Sequence, residues 1–349
     1  MIMMKMKYLM IFILLTIIKS IVSKLKPISG KSVQVGTLKL SPIGCGTWSW
    51  GNRFLWQYDI NNDNDLKDTF NYVTRNGINW FDTGDSYGTL DLNGRSETLL
   101  GEFSKNDKTK YYFATKLACY PWRIGVKSML QAAKESAERM NRPIDILQLH
   151  WPPSLQWQEK EYLLAFCQLV KEGYCTQIGV SNYGPKGLKR INEIVNKEGI
   201  RICSNQVQFS LLSRYPLYNG LSTYCEEQNI QLIGYSALGL GLLSDKYTLD
   251  NLPKGPRSFL FKEFLPSIDP LLKVMREIAI KKNKKVSQVA LNWSLQKGFL
   301  VLVGIRSIDQ AKENINASGW KLSDAEVAEL DRVSAAIPKQ IIQNSFQSD

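Results

Sequence analysis

The stretch Ile144-Asp145-Ile146-Leu147-Gln148-Leu149-His150 is a short apolar run that ends on a histidine. A run of this length predicts a buried strand, and the Trp151-Pro152-Pro153 that follows predicts a loop. This is the only histidine among the 349 residues. A lone histidine is more often a hydrogen-bonded core residue than a catalyst. However, a polar residue that closes a buried parallel strand stands where (β/α)8 enzymes carry their catalytic groups.

Seven further short apolar runs repeat this pattern, and amphipathic segments such as the one with Leu188, Ile191 and Val195 on one helical face separate them. Strand–helix alternation implies parallel strands joined by crossover helices. Eight such units fit a single α/β fold, the closed (β/α)8 or TIM barrel, better than a doubly wound sheet. The predicted strands are Ile43–Gly46, Ile78–Asp82, Tyr111–Lys116, Ile144–His150, Gln177–Ser181, Ser204–Gln208, Gln231–Ser236 and Phe299–Gly304.

A doubly wound dinucleotide-binding fold requires G-x-G-x-x-G between its first strand and helix. Gly44-Cys45-Gly46 is followed by Ser49 at the position of the third glycine, which argues against that fold. Val33–Leu40, with Gly36-Thr37 at its turn, predicts an N-terminal β-hairpin that caps one end of the barrel. Asp245–Ile268 is rich in proline and glycine and predicts a long loop after the seventh strand. We expect the barrel to span 33–335, with a C-terminal tail over 336–349.

The N-terminus is predicted to be a targeting segment rather than part of the barrel. Six of the twelve net positive charges lie in residues 1–31, which contain no acidic residue. Tyr8–Ile18 is apolar but too short to cross a bilayer as a helix, and it suits the h-region of a signal peptide. The basic, hydroxylated segment Lys24–Ser32 is typical of a transit peptide. Residues 1–32 therefore suggest a two-part address to a plastid through the secretory route. Plain secretion, an uncleaved membrane anchor and a cytoplasmic location are the alternatives.

The rest of the composition limits the possible partners and cofactors. No stripe of lysine or arginine alternates with aromatic residues, which argues against a nucleic-acid partner and leaves a small anionic ligand. The sequence has no C-x-x-C pair and no histidine cluster, so a metal site is not expected. The six cysteines are scattered through apolar runs, which indicates buried thiols and a reducing compartment: Cys45, Cys119, Cys167, Cys175, Cys203 and Cys225.

Polar residues close the second, third and fourth predicted strands at Asp82, Lys116 and His150, and Tyr87 follows Asp82 by five residues. In a barrel these side chains converge on one mouth. A lysine beside a tyrosine favours the phenolate, and a carboxylate beside the lysine keeps the lysine charged. A neutral imidazole orients a carbonyl oxygen. The set predicts a general acid suited to carbonyl reduction.

These residues lie in motifs that resemble those of the aldo-keto reductase family over about residues 33–335. The second-strand motif is Phe81-Asp82-Thr83-Gly84-Asp85-Ser86-Tyr87-Gly88, and the fourth-strand motif is Gln148-Leu149-His150-Trp151-Pro152. Gly179–Tyr183 and Val303–Ser307, with Gln310, Glu313 and Asn314, resemble the family's cofactor motifs. Gly46–Asn52 and Leu217–Leu221 are most similar to the plastid-type branch of plants and algae.

The resemblance implies an NADPH-dependent carbonyl reductase with Asp82, Tyr87, Lys116 and His150 as catalytic residues and Tyr87 as proton donor. It implies that Ser181, Asn182 and Gln206 bind the nicotinamide carboxamide and that Tyr235 stacks on the ring. Arg306 and Ser307 would meet the 2′-phosphate, and Gln310 and Asn314 the adenine end. The loop expected to wrap the pyrophosphate comprises Ser236, Ala237, Leu238, Gly239 and Gly241. The remaining implied cofactor residues are Gly46, Thr47, Trp48, Gly304, Ile305 and Glu313.

The substrate is predicted only as a small carbonyl compound, with an aldehyde or flat ring favoured by an aromatic pocket. The expected pocket residues are Trp48, Trp50, Tyr87, Trp122 and Trp151. Lys246, Lys254 and Arg257 in the predicted long loop are solvated charges by default. An NADPH-binding regulatory subunit on the same barrel is the main alternative function. A barrel isomerase or lyase would leave the cofactor motifs unexplained. The oligomeric state stays open between a monomer and a weak homo-oligomer.

Overall fold

Eight parallel strands close into a barrel, which confirms the predicted fold class. The computed structural model describes residues 25–338 and residue 341. In the order of the chain the barrel strands are β3 (Ile43–Gly46), β4 (Trp80–Asp82), β5 (Tyr112–Leu117), β6 (Ile144–Leu149), β7 (Cys175–Ser181), β8 (Ile202–Gln208), β9 (Gln231–Tyr235) and β10 (Leu300–Gly304). Each strand pairs with its sequence neighbour, and β10 pairs with β3 to close the ring.

The predicted hairpin is also present, as β1 (Val33–Val35) and β2 (Leu38–Leu40) in antiparallel register. Its turn is fastened to the barrel by Gln177 of β7. The backbone N–H of Thr37 donates to Oε1 of Gln177 at 2.7 Å, and Nε2 of Gln177 donates to the carbonyl of Val35 at 3.2 Å. Gly36 has a φ of 55° and lies so close to Gln177 that a β-carbon would clash. The hairpin therefore caps the end of the barrel opposite the carboxyl ends of the strands.

Helices cover the outside of the barrel. Their apolar faces, for example Leu188, Ile191 and Val195, are buried against the strands, as the helical spacing predicts. The predicted capping box is present, since Ser323 and Glu326 each accept the other's backbone N–H. The helices are α1 (Arg53–Trp56), α2 (Asp63–Arg75), α3 (Arg95–Ser104), α4 (Val126–Arg139), α5 (Gln156–Lys171), α6 (Pro185–Lys197), α7 (Leu221–Gln228), α8 (Arg257–Lys282), α9 (Val286–Gln296), α10 (Ile308–Ile315) and α11 (Asp324–Ala335).

The predicted long loop over Asp245–Ile268 is wrong in its second half, because α8 begins at Arg257 and continues through Pro266 and Pro270. A proline inside a helix costs about 3 kcal/mol, so the sequence favoured a loop. The buried residues of α8 recur at helical spacing, as in Phe261, Phe264, Leu265, Ile268 and Leu272, and their packing against the core outweighs that cost.

The structure bears on the predictions for the two termini, for metal binding and for the cysteines to different extents. The proposed h-region Tyr8–Ile18 lies outside the described residues, as does all of the tail beyond Pro338 except Ile341. Within residues 25–338 and 341, no helix has the length and hydrophobicity needed to cross a membrane. In the same part of the chain, no three His, Cys, Asp or Glu side chains are grouped as a metal site. All six cysteines are free and buried, as their apolar surroundings predicted.

Candidate active site

The carboxyl ends of β4, β5 and β6 bring together the four residues singled out at the strand ends. Asp82 is the last residue of β4, Lys116 lies in β5, and His150 follows β6. The ammonium group of Lys116 forms an ion pair with Oδ1 of Asp82, and both side chains are 1% exposed. The same Nζ donates to the carbonyl of Thr83 at 2.7 Å and to the hydroxyl of Tyr87 at 3.1 Å. Lys116 therefore bridges the buried carboxylate and the tyrosine.

The electrostatics of this cluster differ in one respect from the sequence argument. Burial raises the pKa of Tyr87 above its ordinary value of 10, and the nearby charge of Lys116 offsets only part of this effect. The sequence argument expected the lysine to lower the pKa of Tyr87. Burial alone lowers the pKa of Lys116, but the contacts with Asp82 and Tyr87 outweigh it and the net shift is upward. Both groups therefore carry their protons at neutral pH.

His150 lies beside the tyrosine, with ring centroids 5.7 Å apart in an edge-to-face arrangement. Burial, followed by the positive charge of Lys116, holds the pKa of His150 well below its usual value of 6.5. Its Nδ1 is 3.5 Å from the hydroxyl of Ser86, and its carbonyl accepts a hydrogen bond from Nδ2 of Asn182 at 3.0 Å. The imidazole is neutral at physiological pH and can donate or accept a hydrogen bond at the mouth.

The second carboxylate oxygen of Asp82 has partners that the sequence analysis did not assign. Nε2 of Gln148 donates to Oδ2 of Asp82 at 3.0 Å, and Nε2 of Gln206 donates to the same oxygen at 2.8 Å. Gln148 is 0% exposed and Gln206 is 2% exposed. Gln148 was quoted in the fourth-strand motif without a role. The signal for a role of Gln148 was that it is a polar residue at a strand position facing the barrel interior, where apolar residues are usual.

The residues implied to bind the nicotinamide lie together beyond the ends of β7, β8 and β9. The hydroxyl of Tyr235 donates to Oδ1 of Asn182 at 2.9 Å, and the hydroxyl of Ser181 donates to the carbonyl of Gln206 at 2.8 Å. Asn182 has a φ of 67°, a conformation that asparagine tolerates better than most residues. On the β3 side, Thr47 is fully buried, and its hydroxyl contacts the carbonyl of Asp82 and the hydroxyl of Ser96. Gly46 pairs with Asp82 on one side and with Gly304 on the other.

The loop after β9 has an unusual backbone. Ser236, Gly239, Leu240 and Gly241 all have positive φ angles, and the last three lie in Gly239–Ser244, whose backbone is interrupted by non-helical angles at Leu240 and Gly241. Alternation of right-handed and left-handed residues creates concave clusters of backbone N–H groups that bind anions. Ala237 is buried, and Leu238 is partly buried against the core. The loop ends at Asp245, which forms a bidentate ion pair with Arg276 of α8.

Two arginines flank one indole at the end of this loop. The guanidinium of Arg257 lies 4.5 Å from the ring centroid of Trp56, and that of Arg306 lies 5.2 Å from the same ring. Arg306 donates to the carbonyl of Trp56 at 2.9 Å, and Arg257 donates to the carbonyl of Leu240 at 3.1 Å. Neither arginine forms an ion pair with a carboxylate of the described chain. Burial, followed by the charge of Arg257, lowers the pKa of Arg306.

Two buried nitrogen atoms in this group make no hydrogen bond within the described part of the chain, Nε of Arg257 and Nε1 of Trp56. A pair of partly buried cations, one of which has an unused N–H donor beside the unused indole N–H, fits an anionic ligand. The sequence analysis treated Arg257 as a solvated charge, because its position in α8 beside Arg306 depends on packing between distant segments.

The implied adenine-end residues lie along α10, from its N-cap to its last turn. Ser307 is the N-cap, and its hydroxyl accepts from the backbone N–H of Gln310. Oε1 of Gln310 accepts from the backbone N–H of Arg306 at 2.9 Å. The carboxylate of Glu313 contacts the hydroxyl of Ser287 on α9, and Asn314 is 4% exposed. Ser307 and Gln310 thus fix the backbone beside Arg306, while Glu313 is engaged with the neighbouring helix.

The tryptophans expected in the substrate pocket fall into two groups. The prediction for Trp50 is wrong, because its indole is fully buried, packs against Phe103 and donates to the carbonyl of Ile305 at 2.9 Å. Trp48 is partly exposed, and Trp122 is 74% exposed and stacks on Tyr120 with centroids 4.7 Å apart. Trp151 is half-buried with its ring centroid 4.6 Å from that of His150. Trp48, Trp122 and Trp151 therefore remain candidates for an aromatic rim in the loops after β3, β5 and β6, whereas Trp50 does not.

The chain is similar in sequence and in fold to known proteins. The family profile described as "Aldo/keto reductase family" matches residues 42–335. The chain is 42% identical over 327 residues to "Pyridoxal reductase, chloroplastic" of Arabidopsis thaliana, which covers 91% of this chain and 90% of that protein. It resembles the structure of a glycerol dehydrogenase from Gluconobacter oxydans with a TM-score of 0.76 and 25% identity, covering 91% of this chain and 99% of the other. An aldo/keto reductase from Klebsiella pneumoniae in complex with NADP and acetate gives a TM-score of 0.70 at 22% identity, covering 91% and 99%.

Proposed function

Because the chain belongs to the aldo/keto reductase family of oxidoreductases that act on carbonyl and alcohol groups, we propose that it is an NADPH-dependent reductase that converts an aldehyde or ketone into an alcohol. The observation that carries the proposal is the bridge made by Lys116, whose Nζ contacts Asp82 and lies 3.1 Å from the hydroxyl of Tyr87. An ammonium group at this distance from the phenol stabilises the negative charge that forms when the tyrosine donates its proton during carbonyl reduction.

Tyr87 is the proposed proton donor. The raised pKa of Tyr87 keeps the phenol protonated at neutral pH, as an acid must be before the reaction. Lys116 stabilises the phenolate that remains after the proton has left, because its own raised pKa keeps the ammonium charged. Asp82 balances that charge in a site from which water is excluded.

His150 is proposed to orient the substrate. A neutral imidazole with a depressed pKa donates a hydrogen bond to the carbonyl oxygen without adding a second positive charge beside Lys116. Ser86, 3.5 Å from Nδ1, is placed to hold the ring in one orientation.

NADPH is the proposed cofactor, and when bound it supplies the hydride for the reduction. Ser181, Asn182, Gln206 and Tyr235 are the residues proposed to hold the nicotinamide, because they cluster at the ends of adjacent strands. The positive-φ backbone of Ser236, Gly239 and Gly241, with Ala237 and Leu238, is proposed to bind the pyrophosphate. Gly46, Thr47, Trp48, Gly304 and Ile305 border the same end of the barrel on β3 and β10.

A preference for NADPH over NADH is proposed to arise from Arg306 and Arg257 together. Two guanidinium groups without a carboxylate partner, one with an unused buried N–H, suit a phosphate monoester such as the 2′-phosphate. Ser307, Gln310 and Asn314 are proposed to complete the adenosine site. Glu313 contributes through its contact with Ser287 rather than at a phosphate, since like charges would repel.

The proposed substrate class is a flat aromatic aldehyde. The relative named pyridoxal reductase supports this class, and the aromatic rim of Trp48, Trp122 and Trp151 with Tyr87 provides surfaces on which a planar ring can stack. We also propose that the chain acts in a plastid. The name of the same relative supports the destination, whereas the secretory signal rests on residues 1–23 of the sequence alone.

The experiment that tests the proposed function is a titration of the full chain with NADPH and then with NADH, followed through intrinsic tryptophan fluorescence. Tight NADPH binding, weak NADH binding and turnover of pyridoxal measured by loss of NADPH absorbance are expected. No binding of either nucleotide would refute the proposed function. Binding of NADPH without turnover of any aldehyde or ketone would favour the regulatory-subunit alternative.

A further inference from the structure

The carboxylate of Asp82 is held by three donors from three different strands. Lys116 of β5 contacts Oδ1, while Gln148 of β6 and Gln206 of β8 donate to Oδ2 at 3.0 and 2.8 Å. Nε2 of Gln206 also lies 3.3 Å from Oε1 of Gln148, so the two amides are linked to each other. All four side chains are no more than 2% exposed. The network is therefore buried in the barrel interior.

Gln148 is an unusual residue for its position. The interior of a barrel of this kind is normally filled by branched apolar side chains, and a buried amide is costly unless it is hydrogen-bonded. The barrel makes room for it. A β-carbon at Gly179, the register partner of Gln148 on β7, would lie 3.0 Å from Cγ of Gln148 and 2.6 Å from the hydroxyl of Ser204. The adjacent strand therefore has a glycine where the Gln148 side chain needs space.

Gln148 also fixes the orientation of Gln206. The amide of Gln206 has its NH2 group directed at Asp82 and at Oε1 of Gln148, and the reversed amide would place two oxygens against each other. Its carbonyl oxygen is consequently directed away from Asp82. Gln148 thus contacts the Asp82 carboxylate, which pairs with Lys116, and the Gln206 amide, which is proposed to bind the nicotinamide. Gln148 itself is not assigned to the substrate site or to the nicotinamide site.

We propose that Gln148 is a positioning residue for carbonyl reduction, which fixes the Asp82 carboxylate and the Gln206 amide and through Asp82 and Lys116 sets the proton donor Tyr87. This inference rests on the proposed function. An N–H donor on Oδ2 spreads the negative charge of Asp82 and moderates the field that this charge exerts on its neighbours. Burial is the main cause of the raised pKa of Tyr87, and the charge of Asp82 raises this pKa further. Loss of the N–H donor of Gln148 should therefore slow proton donation by Tyr87. It should also move the alkaline limb of the pH–rate profile to higher pH.

The test compares Gln148→Met with Gln177→Met in the full chain. Methionine has similar length and no N–H donor. Gln177 is a matched control because it is also a buried strand glutamine, but its hydrogen bonds fasten the N-terminal hairpin at the opposite end of the barrel. The measurements are kcat for aldehyde reduction as a function of pH, the Kd for NADPH and the thermal midpoint.

For Gln148→Met we expect kcat to fall by about tenfold or more, as for the loss of a hydrogen bond to a charged group. The alkaline limb of the pH–rate profile is expected to move to higher pH by about half a pH unit or more. The Kd for NADPH is expected to rise by about two- to tenfold, because Gln206 loses the contact that orients its amide. For Gln177→Met we expect an unchanged kcat and pH profile with a lower thermal midpoint. Gln148→Asn, which withdraws the amide by one methylene group, should show the same kinetic changes and serves if Gln148→Met does not fold.

Two results would overturn the inference. Wild-type-like kcat and pH profile in the Gln148 variants would remove the positioning role while leaving the reductase intact, and a fall in kcat with an unmoved alkaline limb would show that Gln148 acts only through packing. A wild-type chain that neither binds NADPH nor reduces an aldehyde would instead refute the proposed function, and this inference with it.

Discussion

The ammonium nitrogen of Lys116 lies 3.1 Å from the hydroxyl oxygen of Tyr87, and its other contacts are Asp82 and the carbonyl of Thr83. Every donor position of the ammonium group is therefore used, and the lysine has a fixed orientation towards the phenol. This single contact connects a buried ion pair to a half-buried hydroxyl at the mouth of the barrel.

Replacing Tyr87 with phenylalanine should lower carbonyl reduction by about 10²- to 10⁴-fold, the usual contribution of a positioned general acid. NADPH affinity should stay nearly unchanged. Tyr162→Phe is the matched control, because the Tyr162 hydroxyl donates to the carbonyl of Ala118 and has no contact with Lys116. Steady-state kinetics and fluorescence titration measure the two quantities, and unaltered turnover of the Tyr87 variant would remove this residue from its proposed role.

Breaking the buried ion pair should cost stability as well as activity. Lys116→Met leaves the Asp82 carboxylate uncompensated in an environment that is 1% exposed, and loss of one partner of such a pair typically costs about 3–5 kcal/mol. The double variant Lys116→Met with Asp82→Asn removes the stranded charge and should recover part of that loss while remaining inactive. Urea unfolding measures the free energy of unfolding of the wild type, the single variant and the double variant. A double variant no more stable than the single one would contradict the charge-based explanation.

The single histidine should give the stability of this protein a measurable pH dependence. The pKa of His150 is depressed in the folded state, so below about pH 6.5 the unfolded chain binds a proton that the folded chain does not. The free energy of unfolding should therefore fall as the pH drops below that value, with a contribution of about 1.4 kcal/mol per pH unit. At higher pH the contribution disappears because both states are neutral.

His150→Gln isolates this contribution from that of other groups. The raised pKa values of buried carboxyls such as Asp85 and Glu97 affect both chains equally and cancel in the difference. Urea unfolding between about pH 5 and 7.5 should give parallel curves above pH 6.5 and diverging ones below it. Curves that remain parallel throughout would indicate that the folded protein protonates His150 normally.

Arg306→Ala should narrow the preference for NADPH over NADH by about 1.5–3 kcal/mol, the scale of a hydrogen bond to a charged group. Arg257→Ala should change the preference in the same direction, because both guanidinium groups flank Trp56. Arg53→Ala is the control, since Arg53 is an exposed arginine of the nearby helix α1 that pairs with Asp91. Titrations with both nucleotides measure the preference, and equal values for all three variants would point to another phosphate site.

The two groups of tryptophans should respond differently to truncation. Trp50→Ala should destabilise the fold by about 3–5 kcal/mol, because it empties a fully buried site. Trp122→Ala should change stability by about 0.5 kcal/mol or less and should raise KM for an aromatic aldehyde more than for a small aliphatic one. Thermal unfolding and kinetics separate the two effects. Equal changes in KM for both substrates would remove Trp122 from the aromatic rim.

The sequence by itself determined the barrel and the convergence of Asp82, Tyr87, Lys116 and His150. The reason is topological: parallel strands joined by crossover helices place all their carboxyl ends at one mouth, so the residue that ends each strand is enough to locate it. The hairpin and the capping box at Ser323 and Glu326 were predictable for the same kind of reason, since both depend on residues close together in the chain.

Only the tertiary structure decided which side chains are buried and which charges meet. Trp50 and Trp122 look alike in the sequence, but one is in the core and the other is 74% exposed. Three features depend on segments distant in the chain: the helix through Pro266 and Pro270, the placement of Arg257 and Arg306 against Trp56, and the hydrogen bonds of Gln148 and Gln206 to Asp82. The direction of the pKa shift of Tyr87 follows the same rule, because it is set by a balance between burial and a neighbouring charge that three-dimensional packing alone establishes.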